Sequence, residues 1–352
     1  MAADIRTVAI VGAGTMGAGI AQVALEAGHG VRMTDRDPAA LATAVERVRS
    51  GLTRRAAKTG KGDPWVAWVH GHLDNESSVG EAVADADLVI EAAIEDLSAK
   101  QALFRVIAAS APAEAILATN TSALSVTAIA SAIDRPERVL GLHFFNPAPV
   151  MRLVEVVTTA STDPAVADAA TDLMVAWGKA PVRCFDAPGF IVNRVNRPFT
   201  IEALRLLESG EAGVIDIDAA MRAAGFPMGP FELMDLIGID VNLAAARGVW
   251  DGLGRPDRLR PSPIQERLVA NGHLGRKTGS GFYRYDESGR MLGLAGDRSA
   301  TTTPLDAIAA RIRDAIDAEA RLAADEGVAT ATDIELALEL GAGHPPRTPP
   351  VR

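Results

Sequence analysis

Of the six histidines in 352 residues, one, His143, stands in the stretch GLHFFNPAPVMRLVEVV (Gly141–Val157), between Leu142 and the pair Phe144 and Phe145. An imidazole placed there gives up water and needs a fixed polar partner. Histidine also has an unperturbed pKa near neutrality, which suits it to take a proton from a reacting hydroxyl. Glu155 is the one acid of the stretch. It follows the turn-forming FNPAPV, and a hairpin-like return would set its carboxylate beside the ring. There it would hold the imidazole tautomer and stabilise the imidazolium formed on proton transfer. The alternative is a core histidine satisfied by a backbone carbonyl.

A second group lies at the other end of the first domain, in VAIVGAGTMGAGIAQVALEAGHGVRMTD. A strand turns through Gly12, Gly14 and Gly17 into a helix of small apolar residues, with Thr15 and Met16 at the mouth of that helix. Gly12 permits the tight turn, Gly14 lets backbone approach a pyrophosphate, and Gly17 allows close packing of helix on strand. Asp35 ends the next strand, 18 positions after Gly17. It is placed to accept from both ribose hydroxyls of NAD and to repel the 2′-phosphate of NADP, an effect that Arg36 partly offsets. NAD is therefore the expected cofactor, the alternative being a glycine-rich turn in another α/β fold. In TNTSALS, Asn120 and Ser122 fall at the C-terminal end of a strand, where open parallel sheets bind ligands. Their alternative role is to cap the helix that follows.

Between Arg47 and Lys61 the bases Arg47, Arg49, Arg54, Arg55, Lys58 and Lys61 occur with no acid among them, in a chain of net charge −10. Such a run is either a solvated helix face or a landing surface for phosphates.

The elements that must position these groups are readable as a pattern. Up to about residue 185, short β-rich runs alternate with helical stretches, as expected of a parallel sheet with crossover helices. The candidate strands are VAIVG (Val8–Gly12), VRMTD (Val31–Asp35), LVIEAA (Leu88–Ala93), AILATNT (Ala115–Thr121), RVLGLHFF and RLVEVVTT. Near DAPGFIVNR the texture changes, and from Val192 onward apolar residues recur at helical spacing while strand signals disappear. The fold class is therefore α/β: a Rossmann-type parallel sheet domain followed by a mostly α-helical C-terminal domain, with the boundary near Ala187 to Gly189. The domains are expected at 1–187, including a basic helical excursion at 45–70, and at 188–288.

A further segment, 300–346, repeats the second domain in part. IRDAIDAEARLAADEGVATATDIELALELGAGHPP is similar to VNRPFTIEALRLLESGEAGVIDIDAAMRAAGFPMGP, and Glu202 to Asp216 has the same 14-residue spacing as Glu319 to Asp333. Ile308, Ile312, Ile316 and Ala320 form a stripe that something must cover. No counterpart of GFIVNR precedes this copy, so a structural role is expected for it. The alternative is two unrelated amphipathic helices of similar composition.

With 48% hydrophobic residues the chain has ample material for two cores. The single cysteine, Cys184, excludes a disulfide framework, and the N-terminus lacks a secretory pattern, so a cytoplasmic location is expected. No stretch reaches the roughly 18 apolar residues of a membrane span, and the acidic balance argues against nucleic acid as a partner. His, Cys, Asp and Glu show no metal-ligand spacing, and no metal is expected.

Taken together, GAGTMGAGIA, EAAIEDLSAK, TNTSALS, GLHFFNPAPVMRLVEVV, DAPGFIVNR and AGFPMGPFELMDLIGID resemble the L-3-hydroxyacyl-CoA dehydrogenase family, in the manner of its 3-hydroxybutyryl-CoA members, over about Ile5 to Asp286. The resemblance implies an NAD-dependent oxidation of an L-3-hydroxyacyl-CoA to the 3-oxoacyl-CoA, within fatty-acid or related acyl-CoA metabolism. His143 would be the base, paired with Glu155, and Ser122 and Asn193 would hold the substrate oxygens. Glu95, Lys100 and Lys277 would contact the cofactor. Lys58, with Arg54 near it, would meet the coenzyme A phosphates, and the helical domain would form a homodimer. From sequence alone Asn193 could equally cap a helix. A dehydrogenase of a free hydroxy acid, of the gulonate or carnitine type, shares the fold, and a non-catalytic nucleotide-binding module would share the glycine loop.

Overall fold

The computed structural model describes residues 5–296 and 300–346. The chain divides between Asp186 and Ala187 into two compact units. The first contains, in order, β1 (Thr7–Val11), α1 (Thr15–Glu26), β2 (Gly30–Thr34), α2 (Pro38–Thr59), α3 (Asp63–Gly71), β3 (Leu73–Asn75), α4 (Val79–Val83), β4 (Leu88–Glu91), α5 (Leu97–Ser110), β5 (Ile116–Thr119), α6 (Val126–Ala130), β6 (Val139–Phe144), β7 (Leu153–Thr158), α7 (Pro164–Ala176) and β8 (Ala180–Phe185). The strands form one sheet in the order β3-β2-β1-β4-β5-β6-β7-β8. Every pairing is parallel except β6 with β7.

Strands β1, β4, β5 and β6 are buried along nearly all of their length because both of their faces are covered, and they read as mostly apolar runs in which Glu91 and His143 stand out. Helix α1 lays Ala18, Ile20, Ala21, Ala24 and Leu25 against the sheet, and its small residues bring it close. Chain order reverses between β1 and β4, so a crevice opens beyond their C-terminal ends.

Two strands of this sheet, β3 and β8, were not expected from sequence. The first has three residues, two of them exposed, and the second is an edge strand of mixed burial, so neither carries a clear apolar signature. The helical excursion expected at 45–70 begins earlier. Asp37 caps α2 through Ala39 N–H at 2.9 Å with Pro38 at the first helical position, and two helices fill the span to Gly71.

The second unit contains α8 (Val192–Val195), α9 (Arg197–Glu208), α10 (Val214–Ala223), α11 (Pro230–Ile237), α12 (Ile239–Gly252), α13 (Pro263–Ala270), the hairpin β9 (Tyr283–Tyr285) and β10 (Met291–Leu294), α14 (Leu305–Asp325) and α15 (Ala331–Ala342). The hairpin corrects the expectation that strands end before this unit; three residues of YRY are too few to show a period. It is held by buried acids of the helices. Asp235 accepts from Phe282 N–H and Tyr283 N–H, both at 2.9 Å, and Asp218 accepts from the Tyr283 hydroxyl at 2.6 Å.

Helix α9 is buried on nearly every side, with α8, α11 and α14 packed against it. The stripe of α14 is covered from within the same chain, by α9 and α10. Ile308, Ile312 and Ile316 are buried as expected, but Ala320 is only half-buried. The buried face continues instead through Glu319 and Ala323. No described helix is long and apolar enough to cross a membrane.

Candidate active site

Strands β6 and β7 are antiparallel, and His143 stands directly opposite Glu155 in their register. His143 Nδ1 and Glu155 Oε2 are 2.5 Å apart. The histidine is 6% exposed and the glutamate fully buried. The imidazole also lies against Phe145, with ring centroids 4.6 Å apart. A carboxylate, rather than the backbone carbonyl of the core-histidine alternative, meets Nδ1. With a proton held between Nδ1 and the carboxylate, the basic lone pair of the neutral ring is on Nε2. Asn120, beyond the end of β5, accepts from Phe144 N–H at 2.9 Å and so ties the neighbouring loop to the residue after His143.

Neither Ser122 nor Asn193 is the N-cap residue of a helix. Ser125 caps α6, accepting from Ala128 N–H at 3.1 Å. Ser122 belongs to a loop gathered around Glu95: one oxygen, Oε1, accepts from the Thr121 hydroxyl at 2.6 Å, Ser122 N–H at 2.8 Å, the Ser122 hydroxyl at 3.2 Å and Ala123 N–H at 3.2 Å. Burial pushes the Glu95 carboxyl up, but the Thr121 hydrogen bond, the Lys100 ammonium and the Ser122 donors outweigh it and hold the group below the usual range. In the second unit, Asn193 lies inside α8, one residue past its first, where Ile191 is the N-cap.

Lys100 is buried, and its ammonium donates to Glu91 Oε1 at 2.6 Å and stands 3.5 Å from Glu95 Oε2. The resemblance implies cofactor contact for Glu95 and Lys100. The structure gives both structural bonds as well: Glu95 holds the Ser122 loop, and Lys100 pairs with Glu91, a residue that sequence reasoning missed. Glu91 is fully buried at the end of β4 and also accepts from the Thr119 hydroxyl at 2.7 Å, joining β4 to β5. An acid inside the apolar run LVIEAA is the same kind of signal that singles out Glu155.

The nucleotide end lies at the crevice beyond β1 and β4. Gly12 has φ +113°, and a Cβ on it would come within 2.6 Å of the Ala92 backbone; a Cβ on Gly17 would lie 1.9 Å from the Gly12 carbonyl oxygen. At these two positions only glycine fits. A Cβ at Gly14 would meet nothing within 4 Å, which leaves room for a ligand against that backbone. Helix α1, like α3, begins without a side-chain cap, so its first N–H groups face the glycine loop uncapped. Thr15 and Met16 begin that helix.

Asp35 braces this loop: Oδ2 accepts from Ala13 N–H at 2.7 Å and Oδ1 from Asp37 N–H at 2.9 Å. Each carboxylate oxygen keeps a second lone pair for a ribose hydroxyl. A cavity of about 550 Å³ lined by Gly12, Asp35, Arg36, Ile94, Lys100 and Val106 extends from it. These features fit an adenine dinucleotide, with the pyrophosphate at the Gly12–Gly17 turn and a ribose on Asp35.

Lys58 and Arg54 are exposed on α2. Lys277 is in the second unit, where its ammonium donates to Asp240 at 2.7 Å. The described residues hold no cluster of His, Cys, Asp and Glu able to bind a metal.

Comparison with known proteins adds the following. Residues 7–187 match the family profile described as 3-hydroxyacyl-CoA dehydrogenase, NAD binding domain, and residues 189–285 match 3-hydroxyacyl-CoA dehydrogenase, C-terminal domain. The 3-hydroxyadipyl-CoA dehydrogenase of Escherichia coli (strain K12) is 48% identical over 286 residues, 80% of this chain and 60% of that protein. This chain therefore spans under two thirds of that relative's length. The mitochondrial hydroxyacyl-coenzyme A dehydrogenase of Sus scrofa is 42% identical over 288 residues, 80% of this chain and 91% of that protein. Among solved structures, 3-hydroxybutyryl-CoA dehydrogenase from Escherichia coli K12 superposes with a TM-score of 0.86 at 36% identity, covering 97% of this chain and 90% of that one.

Proposed function

The chain belongs to the 3-hydroxyacyl-CoA dehydrogenase family, with that family's NAD-binding domain, and from this premise we propose that it oxidises the 3-hydroxyl of an L-3-hydroxyacyl-CoA to a ketone, His143 removing the alcohol proton. The observation that carries the reading is the buried pair of His143 and Glu155 at 2.5 Å. Bound NAD supplies the two-electron acceptor. His143 Nε2 takes the hydroxyl proton, and the Glu155 carboxylate stabilises the imidazolium across Nδ1. Ser122 and Asn193 hold the substrate oxygens. Glu95 fixes the loop that carries Ser122, so the serine hydroxyl is oriented before substrate arrives. The reverse reaction is the same proton path run backwards, with His143 donating.

The proposal extends to substrate, location and assembly. The basic face of α2, with Arg54 and Lys58, suits the phosphates of coenzyme A. The similarity to a 3-hydroxyadipyl-CoA dehydrogenase and to 3-hydroxybutyryl-CoA enzymes points to short acyl chains, including one with a terminal carboxylate, in β-oxidation-type metabolism. We place the enzyme in the cytoplasm, as a homodimer through the helical domain. Leu236, Ile237 and Val241 give that domain an exposed apolar surface on α11 and α12. A panel of L-3-hydroxyacyl-CoAs from four to sixteen carbons, with dicarboxylic members, followed by reduced-nicotinamide absorbance, tests the reading. Turnover of the short or dicarboxylic members is expected, and no turnover of any CoA thioester overturns it.

A further inference from the structure

Arg194 follows Asn193 on α8, and its side chain is fully buried. The tail holds it: Arg194 Nε donates to Glu319 Oε1 at 2.8 Å, and a terminal nitrogen donates to Glu326 Oε2 at 2.6 Å. Arg258 closes the cluster from a different element, donating to Glu319 Oε2 at 2.7 Å. Two residues beyond Arg194, at the C-cap of α8, the Asn196 side chain meets His344 Nε2 at 2.8 Å. Tail residues thus hold α8 at Arg194 and at its C-cap, Asn196, directly after Asn193. The turn starts from a left-handed pair, Gly189 at φ +79° and Phe190 at φ +48°, the second of which has no glycine's freedom.

The partial repeat separates the roles within this segment. Glu202 and Glu319 correspond at an offset of 117 residues, as do Asp216 and Asp333. The same offset carries Arg194 onto Arg311 and Asn193 onto Ala310. Arg311 Nε lies 3.3 Å from Glu202 Oε2, the mirror of the contact between Arg194 and Glu319. Each copy therefore grips the arginine of the other, in the reciprocal manner of two-fold packing. The arginine is retained in both copies, whereas the asparagine exists only in the first. The ion pair alone accounts for the arginine; the asparagine needs a different reason.

We propose that Glu319, with Glu326 beside it, is a positioning residue for the reaction: by gripping Arg194 from α14 it fixes the α8 turn and with it the side chain of Asn193. This rests on the reading of Asn193 as a substrate-oxygen ligand. The tail then acts on turnover through geometry, without touching the substrate, and misplacement by a fraction of an ångström is the loss to be detected.

The test compares Glu319→Gln with its mirror control Arg311→Gln by steady-state kinetics on acetoacetyl-CoA and NADH, well below the melting temperature of each variant. Glu319→Gln is expected to lower kcat on the order of tenfold with NADH affinity unchanged, while Arg311→Gln retains kcat. Retained kcat in a folded Glu319→Gln, or equal losses in both variants, overturns the proposal. Where Glu319→Gln does not fold, Glu326→Gln, whose carboxylate is half exposed, is expected to lose kcat in the same direction to a smaller extent, and unchanged kcat there overturns it. Asn193→Ala distinguishes the two layers: if it is fully active, the reading of Asn193 fails, whereas an impaired Asn193→Ala beside a fully active Glu319→Gln fails the positioning role alone.

Discussion

His143 and Glu155 face each other across two antiparallel strands, Nδ1 to Oε2 at 2.5 Å, in a sheet that is otherwise parallel. The antiparallel return is what makes this pair possible. Parallel neighbours need a long crossover, whereas FNPAPVMR brings the chain straight back and fixes a base opposite its acid with two rigid strands as the frame. Glu155 is oriented before any substrate binds, and its charge is worth most in a water-poor setting.

This gives the first prediction. In Glu155→Gln the amide can donate to Nδ1, which moves the ring proton to Nε2 and removes the lone pair that, on the proposed mechanism, accepts the alcohol proton. Turnover should fall by at least about tenfold, with NADH affinity measured by fluorescence unchanged. Full turnover in this variant would mean that the carboxylate does not set the tautomer.

The second prediction concerns cofactor choice. Asp35 braces the glycine loop through Ala13 N–H, and on the proposed cofactor pose it also presents negative charge where a 2′-phosphate would sit. Asp35→Ser should shrink the ratio of kcat/KM for NAD over NADP, with Arg36 free to meet the phosphate. A wild-type enzyme that already prefers NADP would contradict the assignment of Asp35.

How far all this is legible from sequence depends on the range of each signal. The glycine loop, Asp35 and the pair of His143 and Glu155 lie within short windows where strand and turn signals are strong, so both their existence and their proximity could be read. The cluster of Glu91, Lys100 and Glu95 depends on how the ends of β4 and β5 lie beside α5, and only the odd acid in an apolar strand hinted at it. Arg194 and Glu319 are 125 positions apart. The similarity of the two segments suggested a correspondence, but only the packing of α14 on α8 and α9 brings Arg194 to Glu319 and Arg311 to Glu202. The short strands β3, β8, β9 and β10 have too few residues or too mixed a burial to show a period.

The third prediction follows from the buried acid that docks the hairpin. Burial raises the Asp218 carboxyl to about 7, against hydrogen bonds from the Tyr283 hydroxyl, Phe231 N–H and Glu232 N–H. The folded chain then binds this proton more tightly than the unfolded one, so the stabilisation is complete below about pH 4 and is lost as pH rises to about 7. The stability of the wild type relative to Asp218→Asn should therefore decline across that window, by at most about 1.4 kcal/mol per pH unit. Chemical denaturation of both proteins from pH 4 to 8 checks this, and a constant or rising difference would contradict it.

The fourth prediction concerns the tail. Ending the chain after Asp286 removes α14 and uncovers the faces of α9 and α10 that it shields. Thermal midpoint should fall and solubility or mass by light scattering should change, while the glycine loop of the first unit still binds NAD. Unchanged values would make α14 a loosely attached appendage.

The most direct measurement of the central claim is the rate of NADH consumption with acetoacetyl-CoA in the wild type and in His143→Gln, together with NADH affinity in both. The account predicts turnover in the wild type and a loss of about 10² or more in kcat for the variant, with affinity retained because the nucleotide loop does not involve β6. Near-normal turnover in His143→Gln would contradict it and leave His143 as a buried packing residue.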